Sequence, residues 1–289
     1  MVYDRKNHNY IEEKTNSTLS LLYNNVIGRF FLLLLTRRWV SNLGALYLKS
    51  PLSKRRIKKM LKKHEIDLNE YEECNYKSFN DFFMRRKKEI LNNISKNNNL
   101  FLAPADSRLT VYRINEDTCL NIKNSKYTVA ELLQDNALAH KYKDGYCFVY
   151  RLCVDDYHHY YYIDDAELIH AKRINGVLHT VQPIAFKKYK VFTENAREYN
   201  VLKTKNFGTI VQMEIGALMV GKICNDDVKK IKRGNEKGHF EFGGSTIVVL
   251  VQKDKVKVDE DILENSSKDI ETKVSLFESV GRKMWLHDI

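Results

Sequence analysis

Phe240-Glu241-Phe242-Gly243-Gly244-Ser245-Thr246 runs straight into the apolar segment Ile247-Val248-Val249-Leu250-Val251. That segment predicts a buried strand, and two glycines interrupt what would otherwise be one longer strand. Glycine has no Cβ, so Gly243 and Gly244 can take backbone angles closed to other residues and leave the Gly244 carbonyl open beside the Ser245 hydroxyl. Attack of that hydroxyl on the preceding carbonyl would turn the peptide into an ester. β-Elimination would then cut the chain and leave dehydroalanine, which hydrolyses to a pyruvoyl group, an electron sink. A Gly-Gly-Ser-Thr step is also the usual material of a β-bulge or a tight connection, so both readings stand at this point.

With 289 residues and 43% hydrophobic content, the chain can bury a sizeable core, as one large domain or as a core with an appendage. Its formal charge of +11 calls for an acidic partner, with nucleic acid and anionic lipid headgroups the two candidates. Cys74, Cys119, Cys147, Cys153 and Cys224 are odd in number and form no CxxC pair. They read as reduced thiols of a cytoplasmic protein and argue against a zinc site or a disulfide framework. Met1 to Lys14 is polar and charged, without the apolar stretch of a signal peptide. There is no internal repeat, no Walker A loop and no dinucleotide fingerprint, which weakens nucleotide-dependent functions.

The first apolar feature runs from Leu19 to Leu48 and is densest at Phe30-Phe31-Leu32-Leu33-Leu34-Leu35. Arg29 precedes that core and Thr36-Arg37-Arg38 follow it, so it falls short of the roughly 20 residues a spanning helix needs. Two readings remain: a buried core helix, or a helix in the membrane interface with arginines at headgroup level and Trp39 as an amphipathic anchor. Lys54 to Lys63 places Ile57, Met60 and Leu61 at helical spacing among cations, which suits a solvated face or an anionic membrane. Phe79-Asn80-Asp81-Phe82-Phe83-Met84-Arg85-Arg86 closes this helical part with paired aromatics that read as core anchors. Past the asparagine-rich break at Asn92 to Asn99 the pattern turns β-like, at Cys147 to Val154, Glu167 to Ile174, Thr209 to Ile215, Leu218 to Ile223 and Ser245 to Gln252. Tyr127 to Asp135 is the clearest helix there. The fold class expected is α+β: a helical, basic and apolar membrane-facing region over residues 1–90, then a β-rich catalytic core over residues 91–289.

Lys237 to Thr246 resembles the processing site of the phosphatidylserine decarboxylase proenzymes, and further segments resemble that family in the same order along the chain. Phe79-x-x-Phe82-Phe83-x-Arg85 is similar to the segment before its catalytic core. Ala103-Pro104-Ala105-Asp106-Ser107 is similar to its Pro-x-Asp-Gly, with Ser107 in place of the glycine. Asp156-Tyr157-His158 is similar to the start of its Asp-Tyr-His-x-x-His motif, whose second histidine falls on Tyr161. Val181-Gln182-Pro183, Asn195-Ala196-Arg197, Gly216-Ala217-x-x-Val220-Gly221 and the tail Asp259 to Arg282 also follow the family, although structural roles suffice for the first three.

The resemblance implies autocatalytic cleavage between Gly244 and Ser245 into a large chain (1–244) and a small chain (245–289). Ser245 becomes the covalent pyruvoyl cofactor, and the reaction is decarboxylation of phosphatidylserine to phosphatidylethanolamine in phospholipid biosynthesis. It implies that Asp106 orients the base in self-cleavage and that His158 reprotonates the substrate carbon. An unperturbed phenol titrates near 10, so Tyr161 is not a base of histidine's strength, and the activating role stays open among His158, His159 and Tyr161. The partners implied are phosphatidylserine, an anionic membrane surface on the cytoplasmic side of the cell membrane, the sister chain of the precursor and a homo-oligomer, with no metal and no nucleic acid. The alternatives are a basic, tyrosine-rich nucleic-acid-binding module, which gives Gly-Gly-Ser-Thr no role, and a pyruvoyl decarboxylase of a soluble amino acid, which the N-terminal region disfavours.

Overall fold

The computed structural model describes every residue except 13–16, 65, 73–74, 116–119, 123–124, 187–188, 218–221, 228–229, 243–244 and 286–289. Its centre is the strand Ser245–Val251, all seven residues of which are buried. Tyr146–Leu152 pairs with it on one side and Thr209–Ile215 on the other, both antiparallel. These three belong to a nine-stranded sheet whose spatial order is Asn9–Ile11, Val2–Asp4, Glu271–Val274, Ser107–Arg113, Tyr146–Leu152, Ser245–Val251, Thr209–Ile215, Arg197–Thr204 and Ala166–Ile174. Every pairing is antiparallel except that of Val2–Asp4 with Glu271–Val274.

Side chains alternate across a strand, and both faces of this sheet are covered where the central strands lie. On one face Val248 and Leu250 join Cys147, Val149, Val211 and Met213 under Tyr23, Leu132 and Leu133 of the helices. On the other, Ile247, Val249 and Val251 join Phe148, Tyr150, Leu152 and Ile210. That second face packs on two three-stranded sheets, through Tyr160 and Phe240 of one and Phe101, Val256 and Val280 of the other. The first small sheet runs Ile223–Asn225, Glu236–Phe240, His159–Tyr161, and the second Val256–Val258, Ser279–Lys283, Leu100–Leu102. Burial on both faces is why Ile247 to Val251 is continuously apolar instead of alternating with polar residues.

The α+β class and the β-rich core are as expected, and four of the five expected strands lie within two residues of their anticipated ends. The fifth, Leu218 to Ile223, falls mostly outside the described residues, where only Ile223 starts a short strand, Ile223–Asn225. The anticipated helix Tyr127 to Asp135 is trimmed to Val129–Leu133. Thr128 and Glu131 form a reciprocal capping box at its start, and Gln134 stops it in the left-handed region at φ 48°.

Four helices follow the N-terminal hairpin: Ser17–Asn24, Val26–Leu35, Arg38–Lys49 and Arg55–His64. Among the described residues no helix is long and apolar enough to cross a membrane. A few side chains fasten them to the core: the Tyr23 hydroxyl accepts from the Thr180 amide at 3.0 Å, and Leu48 and Met60 pack with Phe79 and Phe82. Ile27, Phe30, Phe31, Leu33, Leu43, Leu46 and Leu52 point outward and are exposed. The Leu32 position is buried, so the densest apolar stretch divides between a thin inner stripe and a broad outer apolar surface. The side chains of Arg29, Arg38 and Trp39 lie outside the description.

The first eleven residues, grouped with the helices by composition, pair instead with the core sheet. Arg5 fastens them there, within 3.1 Å of Asp259, Asp261 and Glu278. Strands of three residues are too short to show an apolar alternation. Phe82 is fully buried between the helices and the core. Phe82→Ala, made in an uncut background, is expected to lower unfolding stability by about 3–5 kcal/mol in urea titration.

Candidate active site

Ser245 opens the central strand directly opposite Leu152. Its side chain is 1% exposed, and its Oγ has no hydrogen-bond partner among the described residues. Several buried polar atoms share this state, Thr246 Oγ1 beside it included, and Ser245 Oγ is the one that adjoins the expected cleavage bond. By alternation with Ile247, Val249 and Val251 it lies on the face that packs against Tyr160 and Phe240. Gly243 and Gly244, the expected strain and cleavage positions, lie outside the described residues.

The chain leading to that pair is held by the helix Phe79–Phe83. Ser78 caps this helix through the Asp81 amide, and Phe79, Asn80, Phe82 and Phe83 are buried. Phe242 packs edge-on to both Phe79 and Phe83, each at 5.0 Å between ring centroids, and its amide donates to Asn80 Oδ1 at 3.1 Å. Glu241 takes Lys49 at 2.8 Å and Lys222 at 3.5 Å. Asn80, Lys49 and Lys222 drew no functional reading from sequence, since a polar residue within an aromatic helix and scattered lysines carry no motif.

His158 is fully buried, its ring 4.1 Å from that of Phe83, and the Phe240 amide donates to its carbonyl at 3.0 Å. Nδ1 lies 2.9 Å from the Asp156 carbonyl. A carbonyl only accepts, so Nδ1 carries the proton and Nε2 the lone pair. Nε2 is buried and has no partner among the described residues. Burial pulls the imidazole down to about 3, which keeps it neutral across physiological pH. Asp156 in turn lies against Arg108, and burial pushes its carboxyl up to about 6.

His159, adjacent in sequence, points the other way. Its Nδ1 meets Glu236 Oε1 at 2.6 Å and its Nε2 meets the Met84 carbonyl at 3.0 Å, so both nitrogens are committed. His159, Glu236 and His239 have ligand atoms within 4.8 Å of one another and are the described residues whose donor atoms could hold a metal ion. Glu236 also pairs with Arg86 at 2.7 Å, and the two histidine rings stack at 5.1 Å with 30° between their planes, so their in-plane lone pairs do not converge.

Tyr161 shares the His159 side. It packs with Tyr71, Tyr157 and Phe277, whereas Tyr160 turns toward the central strand. Its hydroxyl is 3.2 Å from that of Tyr157, and burial pushes it up to about 12. Asp106 accepts from Lys87 Nζ at 2.6 Å and from the Leu276 amide at 2.7 Å. Lys87 also sits 5.3 Å from the centre of the Tyr157 ring. Burial opposes the Lys87 charge, but Asp106 outweighs it and raises the ammonium above its usual range. The structure therefore groups Asp106 with Lys87, Tyr157 and Tyr161, and groups Ser245 with the Tyr160 face.

On that face lies a pair that sequence reasoning passed over. Glu214 and Lys237 are both fully buried, with Oε2 and Nζ 2.5 Å apart, and Lys237 also donates to Asn225 at 3.1 Å. Asn195 and Arg197 have structural roles. Asn195 bonds the His179 and Gly216 carbonyls, and Arg197 caps carbonyls of Glu131, Leu132, Thr193 and Asn195.

Buried, unpartnered serine and histidine atoms lie beside an aromatic clamp, an arrangement that can support proton transfer and nucleophilic attack in a dry interior. Comparison with known proteins specifies the family. The family model described as phosphatidylserine decarboxylase matches residues 79–281. The chain is 48% identical over 279 residues to phosphatidylserine decarboxylase proenzyme 2 of Clostridium acetobutylicum, covering 96% of each chain. It is 37% identical to the phosphatidylserine decarboxylase proenzyme of Clostridium tetani, covering 97% of each. It is 38% identical to that of Fusobacterium nucleatum, covering 95% of this chain and 97% of the relative. The chain belongs to the phosphatidylserine decarboxylase family and is a decarboxylase of phospholipid biosynthesis made as a proenzyme.

The His158 geometry makes a direct forecast. In 15N-labelled, uncut Ser245→Ala protein, the His158 imidazole should remain neutral, with its proton on Nδ1, from pH 8 down to pH 5. A titration midpoint near the unperturbed value of about 6.5 would contradict a dry pocket around this ring.

Proposed function

We propose that this chain cuts itself between Gly244 and Ser245 and uses the pyruvoyl group so formed to decarboxylate phosphatidylserine at an anionic membrane surface. The observation that carries the reading is the Ser245 hydroxyl, buried and unpartnered at the head of a strand held on both edges. Such a position suits the cofactor, because its precursor atom is already desolvated and fixed. The pyruvoyl group supplies a carbonyl sink for the electron pair left when carbon dioxide departs.

The chain's own residues supply the rest. Phe79, Phe83 and Asn80 hold Phe242, and so set the approach of the backbone to Ser245. His158 keeps a lone pair at Nε2 in the same interior and is the group that carries a proton to the substrate carbon. Asp106 and Lys87 brace Tyr157 and the Leu276 amide, and so fix the segment that carries the histidines.

The N-terminal helices support the peripheral membrane attachment in this reading, which places the protein on the cytoplasmic side of the cell membrane. Phe30, Phe31, Leu33, Leu43, Leu46 and Leu52 offer apolar surface, and Arg55, Arg56, Lys58, Lys59, Lys62 and Lys63 on the next helix offer charge worth about 1 kcal/mol per cation at an anionic surface.

Intact mass spectrometry tests the reading. The wild-type protein should appear as chains 1–244 and 245–289, the latter blocked by pyruvoyl, and Ser245→Ala as one uncut chain. Cutting at the same bond in Ser245→Ala, purified free of proteases, would refute self-cleavage. Flotation should show binding to anionic liposomes that weakens with salt. Equal binding to neutral vesicles at every salt concentration would remove the electrostatic part.

A further inference from the structure

Self-cleavage requires a base for the Ser245 hydroxyl, and the residues nearest the expected place of that base face away from it. Tyr161 belongs to the opposite side of its strand, both His159 nitrogens are occupied, and His158, which keeps a free Nε2, is assigned above to the later proton transfer to substrate. The groups that share the Ser245 face are fixed by register. Ile247 is directly opposite Glu214 on the neighbouring strand, and Ser245 lies two residues before Ile247 on the same face. Glu214 is thus the diagonal cross-strand neighbour of Ser245, a separation of about 7 Å between Cβ atoms, which a long side chain can span.

Glu214 is also chemically prepared. One carboxylate oxygen, Oε2, is held by Lys237 at 2.5 Å and Asn225 at 3.5 Å. The other, Oε1, is buried and has no partner among the described residues, as is Ser245 Oγ. Burial holds the Glu214 carboxyl above the usual carboxylate range, with Lys237 opposing that only in part, so it is a stronger proton acceptor than a surface carboxylate. A buried ion pair of this kind is a poor source of stability, and apolar residues of similar volume commonly do as well. An orphaned oxygen makes it poorer still.

We propose that Glu214, paired with Lys237 on the Ser245 face, is the general base that takes the proton from Ser245 Oγ during self-cleavage. The inference rests on the self-cleaving reading above. In the step, Ser245 Oγ forms a bond to the Gly244 carbonyl carbon as its proton passes to Glu214 Oε1. Collapse of the adduct breaks the carbon–nitrogen bond, and the proton returns to the departing Ser245 amine, leaving an ester. Loss of the Ser245 Cα proton then expels Gly244 as a carboxylate, and water converts the resulting dehydroalanine to pyruvoyl with release of ammonia. His158, held against Phe83 by its Nδ1 bond, is left for the later proton transfer to substrate.

The test follows precursor cutting by mass spectrometry after rapid purification or cell-free synthesis, with no substrate present. Glu214→Gln alone strands the Lys237 charge, so the informative variant is Glu214→Gln/Lys237→Met, which neutralises the pair and keeps its volume. It should fold with a thermal midpoint near that of Ser245→Ala and cut roughly 100-fold or more slowly than wild type, the range for loss of a general base. A purely structural pair predicts the opposite, a folded double variant that cuts at the wild-type rate, and that result would overturn the proposal. If the double variant does not fold, Glu214→Asp decides. It keeps the ion pair but withdraws the carboxylate by one methylene, and wild-type cutting there would also overturn the proposal. An uncut wild-type chain would instead refute self-cleavage as a whole, so the two failures are distinguishable.

Discussion

The pairing of Ser245–Val251 between Tyr146–Leu152 and Thr209–Ile215 is the constraint on which the rest of the molecule depends. Both edges of the strand are hydrogen-bonded and both faces are covered, so Ser245 starts a fully protected strand of the core. Cutting just before it, as proposed, would change connectivity but not the sheet. A 245–289 chain would stay bound through that strand, through Glu271–Val274 beside Ser107–Arg113, and through Ser279–Lys283 beside Leu100–Leu102. Desolvation also sets the electrostatics, because charges in this interior interact far more strongly than in water and an unsatisfied polar atom is costly.

The helical layer bears on the same point from outside. Lys49, at the end of one N-terminal helix, pairs with Glu241, while Phe79 and Phe83 grip Phe242. The surface whose exposed side chains suit a lipid interface is therefore mechanically continuous with the backbone that approaches Ser245. The contact runs through aromatic edges and one amide hydrogen bond, which fix position more than they add stability.

Charge inside the core is divided by the strand His159–Tyr161. One side carries Asp106 with Lys87 under a tyrosine pair, and the other carries Glu214 with Lys237 next to the Ser245 face. Each carboxylate has a lysine, so neither is an uncompensated buried charge. The difference is geometric: both Asp106 oxygens are bonded, whereas Glu214 keeps one free.

Much of this was legible in the chain itself. The unbroken apolar run after Ser245 specified a strand buried on both faces, because only such a strand has no polar side to show. The Gly-Gly-Ser-Thr step carried its chemistry in adjacent atoms, a hydroxyl next to an unhindered carbonyl, which needs no fold to recognise. The Leu19 to Leu48 stretch was too short between its arginines to span a bilayer, but its composition fitted a core helix and an interface helix alike. Tertiary structure buried Leu32 and Leu48 and left Phe30, Phe31, Leu33, Leu43 and Leu46 exposed, since exposure depends on which turns of a helix find a partner. The N-terminal strands were invisible because Arg5 and parallel pairing with Glu271–Val274, 267 or more residues away, place them. For the same reason no local pattern marked Glu214 and Lys237. A glutamate in one strand and a lysine in another become a buried pair beside Ser245 only through strand register and the packing of one sheet on the next. Side-chain direction likewise decided between neighbours: His158, His159, Tyr160 and Tyr161 are consecutive in sequence, but the pleat sends alternate members to opposite sides, and only the folded sheet says which side holds the serine.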